Sequence, residues 1–209
     1  KGKDSLSRPF LDMGAQRVMQ CYPAKTADIS LIMGANHELY NPSKHRLISN
    51  ASCTTKSLAL PLQIMLDNGI EIDDLRMVTA HAATNSQGIL DSLNHIVTHS
   101  TGAAKALGGI IPRLEGRMGG TSARCPTLDG SISYMSIVAY SANELSAEGL
   151  NDMFRKAVAN PKYAGRFGVL DGNGIGTSDI VERRENALII SSETQVGKLT
   201  SPHVDKKAY

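Results

Sequence analysis

The chain has 209 residues, 22 Lys and Arg against 20 Asp and Glu, a net charge of +2, and 41% hydrophobic residues. That is enough apolar material for one sizeable core or two small domains, and it excludes a disordered chain. The missing basic excess argues against a general nucleic-acid binder. No run approaches the ~18 apolar residues of a membrane span, and three Cys are too few and odd for a secreted disulfide scaffold. Trp is absent and aromatics are scarce, so base-stacking platforms and aromatic carbohydrate clefts lose ground. The expectation is a soluble, cytoplasmic protein with free thiols and no nucleic-acid or membrane partner. A start at Lys1, with no signal-like segment, suggests a processed or truncated chain or part of a longer one.

Short apolar runs rich in β-branched residues alternate with helical periodicity, without internal repeats. Residues 17–21 and 29–33 read as buried strands bounded by Gly14, Pro23 and Gly34. Residues 45–49 form a third strand candidate running into Asn50, Ala51, Ser52, Cys53, Thr54 and Thr55. There, N-cap residue types precede a helical stripe of Leu58, Leu62, Met65 and Leu66. Asn68-Gly69 marks its stop. Pro61, inside the stripe, is expected to kink the helix or loosen its first turns. Further on, residues 76–80 make a strand ending at His81, residues 102–110 a small helix, and residues 121–125 and 131–140 two more strands. Ser146 is placed to cap a helix whose stripe is Leu150, Met153, Phe154 and Val158. After a glycine-rich turn at Gly172, Gly174 and Gly176, residues 187–191 and 195–199 resemble a hairpin or two neighbouring strands. Strands in series without intervening helices point to an antiparallel or mixed sheet backed by helices. The organisational break falls near Ser52.

Cys53 is the most informative position, at the start of a helix directly after a strand. Free amides at a helix N-terminus favour an anion, and a Cys so placed can have its pKa lowered from about 8.5 to roughly 3.5–7.5. It reads as a nucleophile or as a buried small hydrophobe. His81, closing a strand, reads as a proton-transfer partner for Cys53 or as a structural His. The spacing of His37, His45, His95, His99 and His203 suggests no metal site. Ser100-Thr101-Gly102 leads into a helix and reads as an anion seat or an ordinary cap. Arg124, among small and apolar neighbours, binds a ligand phosphate or pairs with a structural carboxylate. The glycines at 172, 174 and 176 lack the strand–turn–helix setting of a dinucleotide fingerprint.

Together, Ser49-Asn50-Ala51-Ser52-Cys53-Thr54-Thr55, Thr79-Ala80-His81-Ala82-Ala83-Thr84, Ser100-Thr101-Gly102-Ala103-Ala104-Lys105-Ala106 and Ala123-Arg124-Cys125-Pro126-Thr127 resemble the glyceraldehyde-3-phosphate dehydrogenase family. Gly34-Ala35-Asn36-His37-Glu38 and Thr177-Ser178-Asp179-Ile180-Val181 fit as well, and order and spacing hold from about Gly14 to Leu199. The resemblance implies that Cys53 attacks an aldehyde to give a thiohemiacetal. His81 is then the general base that also steadies the thiolate and oxyanion, with the Cys53 amide as second oxyanion donor. Hydride leaves for NAD or NADP, and inorganic phosphate takes the thioester as an acyl phosphate. Ser52, Thr54, Thr101 and Gly102 match the inorganic-phosphate site. Thr84 and Arg124, and more weakly Ser86, match the site for the substrate's own phosphate. The intact Thr84 and Ser100–Ala106 stretches look more like the triose-phosphate enzyme than its erythrose 4-phosphate relative. The family also implies a homo-oligomer, a homotetramer.

Some features depart from that pattern. The family's glycine fingerprint and ribose-binding acid have no counterpart, and its closing tryptophan-containing segment and helix are not found before Tyr209. The loop between Gln87 and His99 is shorter than the family's. Lys56 and Ser57 stand where the family has Asn and a second Cys, and Pro61 is displaced by one position. The expectation is an α+β fold, a mixed, mostly antiparallel sheet with helices on one face, over residues 52–209. Residues 1–51 would be the last strands of a Rossmann-type dinucleotide domain. Two rivals stand beside the dehydrogenase: an esterase or acyl-transfer activity on Cys53 alone, and a non-catalytic interaction module.

Overall fold

The computed structural model describes residues 7–83, 95–96 and 98–199. After a short helix, α1 (Arg8–Asp12), the strands β1 (Val18–Gln20), β2 (Ile29–Ser30) and β3 (Leu47–Ser49) form a parallel sheet in the order β1-β3-β2. They fall where expected but are shorter. β2 stops early because the Ile32 amide donates to Asn36 Oδ1 at 2.8 Å, which turns the chain out of the sheet.

The central helix α2 (Cys53–Asp67) begins on Ser52, whose Oγ accepts the Thr55 amide at 3.0 Å. Its expected apolar stripe proves too narrow. Ala59, Leu60, Pro61 and Ile64 are buried as well as Leu58, Leu62, Met65 and Leu66, because α2 packs on the sheet, on two other helices and on β9 (Ala187–Ile190). Each fully buried Leu contributes about 1.5–3 kcal/mol, and this helix centres the core. It runs unbroken through Pro61. A proline inside a helix costs about 3 kcal/mol, and the surrounding burial offsets it.

A four-stranded sheet, in the order β5-β6-β4-β7, carries α2 on one face. Its strands are β4 (Glu71–Ala82), β5 (Thr98–Ser100), β6 (Met118–Cys125) and β7 (Ser131–Tyr140). β4 pairs parallel with β6 and antiparallel with β7, and β5 pairs antiparallel with β6, so the sheet is mixed with antiparallel pairs in the majority. Along β4, Ile72, Leu75, Met77 and Thr79 turn inward. A bulge between Ile72 and Asp74 resets the alternation there. Arg76 and Val78 face outward. Val78 and its cross-strand partner Tyr134 are both exposed, so this face stays open. α3 (Ala103–Ile110) packs on α2 and β6. α4 (Ala147–Val158) is capped by Ser146, whose Oγ accepts the Gly149 amide at 3.1 Å.

The C-terminal expectation is corrected. β9 pairs in parallel with β8 (Phe167–Leu170), not in a hairpin with residues 195–199, which form no strand. Parallel strands need a long crossover, and residues 171–186, with the glycine-rich turn and a 3-10 turn at Thr177–Ile180, supply it. Thr194 is tied instead to α4, its hydroxyl donating to Asn151 Oδ1 at 2.7 Å.

Candidate active site

Ala51, between β3 and α2, is buried with φ 56°, the left-handed region that a residue with a Cβ enters only under strain. That turn ends the strand and sends the chain into α2 with Ser52 as cap and Cys53 as first helical residue. The Cys53 thiol is exposed, which sets aside its reading as a buried hydrophobe. Its sulfur stands at the first turn, where helical amides lack intrahelical partners. Thr54 Oγ1 lies 4.0 Å from it.

β4 brings His81 to this sulfur from the opposite side. His81 Nε2 lies 3.4 Å from Cys53 Sγ, across 28 residues of sequence. In the parallel pairing of β4 with β6, His81 has Arg124 as register partner. Arg124 Nη1 comes within 2.8 Å of His81 Nδ1 and donates to the Ala82 carbonyl at 3.2 Å. No carboxylate among the described residues pairs with Arg124. Cys53, His81 and Arg124 thus form one chain of contacts through the imidazole.

The other expected residues are placed less tellingly. Ser52 Oγ is engaged by the Thr55 amide and by the Thr55 hydroxyl at 2.6 Å. Thr54 is buried beside Cys53. Thr101 Oγ1 accepts the Ala103 amide at 3.2 Å, a local cap on α3, and Gly102 is exposed at that helix start. Thr84 and Ser86 lie outside the described residues. Two features escaped the sequence: the strained Ala51 and the Ala82 carbonyl, a main-chain group that no side-chain pattern announces.

Cys53 and His81 share the wall of a cavity of about 1010 Å³ between α2, β7, α4 and the β8–β9 pair. Met65, Ile137, Phe154 and Ile189 give it an apolar interior. No helix among the described residues is long and apolar enough to cross a membrane, and no group of His, Cys, Asp and Glu among them could hold a metal ion.

An exposed Cys at a helix start is met by a His from a mixed sheet whose neighbouring strand carries Arg124. Residues 52–204 match the family model of the glyceraldehyde 3-phosphate dehydrogenase C-terminal domain. The chain is 35% identical over 203 residues to the glyceraldehyde-3-phosphate dehydrogenase of Kitasatospora aureofaciens, covering 91% of this chain and 59% of the relative. It is 36% identical to glyceraldehyde-3-phosphate dehydrogenase 2 of Streptomyces avermitilis, covering 90% and 58%. It is also 36% identical to that of Borreliella burgdorferi, covering 88% and 57%. The chain belongs to the glyceraldehyde-3-phosphate dehydrogenase family, and it spans under three fifths of the length of these relatives.

A nicotinamide dinucleotide, which the family implies, does not fit the described residues. The parallel β1-β3-β2 sheet has no glycine-rich strand–turn–helix. Gly172 and Gly174, both at positive φ, sit between a strand and a 3-10 turn, not at a helix N-terminus that would take a pyrophosphate.

Proposed function

We propose that this chain is the catalytic half of a phosphorylating dehydrogenase acting on glyceraldehyde 3-phosphate, with residues 1–51 trailing from a dinucleotide-binding domain and residues 52–209 as the catalytic domain. The observation that carries this is the 3.4 Å approach of His81 Nε2 to the exposed Cys53 sulfur at the first turn of α2. Cys53 gives its thiol proton to His81 as the sulfur attacks the aldehyde carbon, the carbonyl oxygen becomes an oxyanion beside the Cys53 amide and His81, and His81 returns that proton to complete the thiohemiacetal. NAD or NADP, where held, would supply the hydride acceptor for the thioester, and from an acyl thioester on Cys53 inorganic phosphate attacks the acyl carbon and Cys53 leaves as thiolate. Ser52, Thr54, Thr101 and Gly102 hold that phosphate, and Arg124 with Thr84 and Ser86 hold the substrate's own. The protein works in the cytoplasm, where thiols stay reduced, as a homo-oligomer built on the open sheet face around Val78 and Tyr134.

The exposed Cys53 sulfur beside His81 Nε2 also supports a second reading, ester hydrolysis or acyl transfer on Cys53 alone. Incubation with glyceraldehyde 3-phosphate, inorganic phosphate and NAD or NADP decides between them. Reduced cofactor supports the dehydrogenase. Turnover of an activated aryl ester without it supports the acyl-transfer enzyme, and neither activity leaves a non-catalytic interaction module.

A further inference from the structure

β7 ends the four-stranded sheet, and its far edge has no strand beside it among the described residues. The register says which groups that edge presents. The Ala82 amide donates to the Gly130 carbonyl at 3.1 Å, and bonded and unbonded pairs alternate along an antiparallel ladder. Ile132, Tyr134 and Ser136 therefore turn their amides and carbonyls to β4, while Ser133, Met135 and Ile137 turn theirs away from it. β4 agrees, because its Leu75 amide and the Ala83 amide beyond its end donate to Arg117 and Cys125 on the β6 side. No hydrogen bond among the described residues takes up the outward groups of Ser133, Met135 and Ile137.

These groups open into the cavity that has Cys53 and His81 in its wall, and β9 lines the same cavity. β9 is an end strand too, paired with β8 alone. The Ala187 amide turns to the Arg166 carbonyl on the β8 side at 3.4 Å, which leaves the Leu188 main chain on the edge away from β8. Between the two edges, Met135, Ile137, Leu150 and Ile189 pack on the core but stay only partly buried. A small molecule meets such walls badly, because it cannot answer amides and carbonyls that recur every ~7 Å. An extended main chain meets both walls at once, alternate residues bonding to opposite sides.

We propose that this cavity is a strand slot, into which an extended segment of another polypeptide, apolar at every second residue, inserts to join β7 and β9. The proposal goes beyond the chemistry at Cys53 and does not depend on it. Main-chain bonds hold the segment on two edges, and its apolar side chains reach Met65, Ile137 and Phe154. About nine residues, rising ~3.3 Å each, match the stretch of β7 that borders the cavity. Charges lining the cavity are already engaged, Arg183 with Glu185 at 2.8 Å and Asp129 with the Gly130 amide at 2.6 Å, so a neutral segment fits. Residues 200–209 have a Pro and the charged Asp205, Lys206 and Lys207 without apolar alternation. A strand paired on both sides excludes such a Pro, so the segment comes from another chain.

The test uses the full chain and a labelled peptide of about nine residues, valine alternating with threonine and a lysine at each end, read by fluorescence anisotropy. Two twins carry N-methyl groups, one on the valine amides and the other on the threonine amides. A strand held on both edges needs both sets, so each twin is expected to bind about tenfold more weakly or worse. Met135→Pro removes an outward amide and none that bonds β4, and is expected to weaken the peptide similarly. Amide hydrogen exchange reads the same edge without a variant. Ser133, Met135 and Ile137 are expected to exchange fast in the free chain and at least about tenfold more slowly with peptide, while Tyr134 and Ser136 stay protected throughout. One twin binding as well as the parent means addition to a single edge and overturns the slot. No binding, or no new protection of the three outward amides, overturns it as well. Protection before any peptide is added means that the chain fills its own slot, through residues 200–209 if it survives dilution and through a second copy if it does not, and either result overturns the partner. The Cys53–His81 reading stands or falls separately, on cofactor reduction and ester turnover.

Discussion

The two ends of α2 are built on different terms. At its C-terminus the last carbonyls and a carboxylate are tied down. Gly69, at φ 78°, lets its own amide reach Leu66 and the Ile70 amide reach Met65, a Schellman closure with Ile70 buried behind it. Asp67 beside it takes hydrogen bonds from Gln63, Lys162 and Tyr163 at 2.7, 2.7 and 2.5 Å. At the N-terminus Ala51 is strained, Cys53 is exposed, one imidazole nitrogen is claimed twice, and Arg124 Nε has no partner. A helix closed this firmly at one end can carry unspent strain and unmet hydrogen-bonding capacity at the other, and reactive groups gather where that capacity is left.

The sharpest way to break this contrast is to change one residue at the reactive end and one that packs on Leu60 and on the Lys162–Tyr163 pair holding Asp67, and ask what each change moves. With His81 as the proton acceptor proposed above, His81→Asn is expected to lower turnover by about 10²–10⁴-fold while shifting unfolding by no more than ~0.5 kcal/mol; steady-state kinetics and urea unfolding read the two. Gly34→Ala should do the reverse. At φ +92° its Cβ would lie 2.9 Å from Leu60 Cδ2, 3.1 Å from the Lys162 carbonyl and 3.3 Å from Tyr163. The left-handed backbone costs roughly 1–2 kcal/mol and the overpacking about 1–3, so the melting temperature should fall by roughly 10 °C. Cys53 alkylation at a temperature where both forms are folded should be unchanged. If His81→Asn unfolds the chain, or Gly34→Ala leaves its melting point alone, the division between the two ends is wrong.

How much of this the sequence disclosed follows the same division. The closed end was legible because its signal is local: Asn68-Gly69 spells a helix stop within two residues, as Ser146 before an apolar run spells the start of α4. Cys53 and His81 were legible as types at element ends, but their meeting came only through the family resemblance, because 28 residues and a sheet register separate them. The Arg124–His81–Ala82 triangle was invisible, since it depends on β4 and β6 pairing in parallel and on a main-chain oxygen. β5 was missed because three polar residues carry no alternation, and β8 because four residues beside a turn are too few to show a period. The pairing of β8 with β9 then went unread, as partners in a parallel pair lie far apart in sequence.

Smaller effects sharpen the contrast. Ala51→Gly removes the left-handed penalty but gives the unfolded chain more freedom, so the net gain in unfolding free energy should stay below about 1 kcal/mol. If the strained turn seats Cys53, alkylation should slow at the same time, and stability and reactivity would move in opposite directions. A gain in both would mean that the strain serves nothing at the sulfur.

The closed end makes the last prediction, read in pH. Burial works to raise the Asp67 pKa, but the hydrogen bonds from Lys162, Tyr163 and Gln63 outweigh it and hold the carboxyl below its ordinary value. A carboxyl lowered in the folded state stabilises above its unfolded pKa of about 3.9 and loses that contribution as pH falls through the folded value. Tyr163 is pushed the other way, well above its ordinary value, by burial and then by the Asp67 carboxylate. Its contribution is complete below the unfolded pKa of about 10 and fades as pH rises beyond it. Tyr163→Phe should therefore flatten the alkaline limb of the stability profile and keep the acid limb, because Lys162 and Gln63 still hold Asp67. Asp67→Asn should flatten the acid limb, with a loss near neutrality of about 1 kcal/mol. Urea midpoints taken from pH 3 to 11 separate the two, and an acid limb that survives Asp67→Asn would place the acid-sensitive group elsewhere and remove the clasp from the account of why this end of α2 holds.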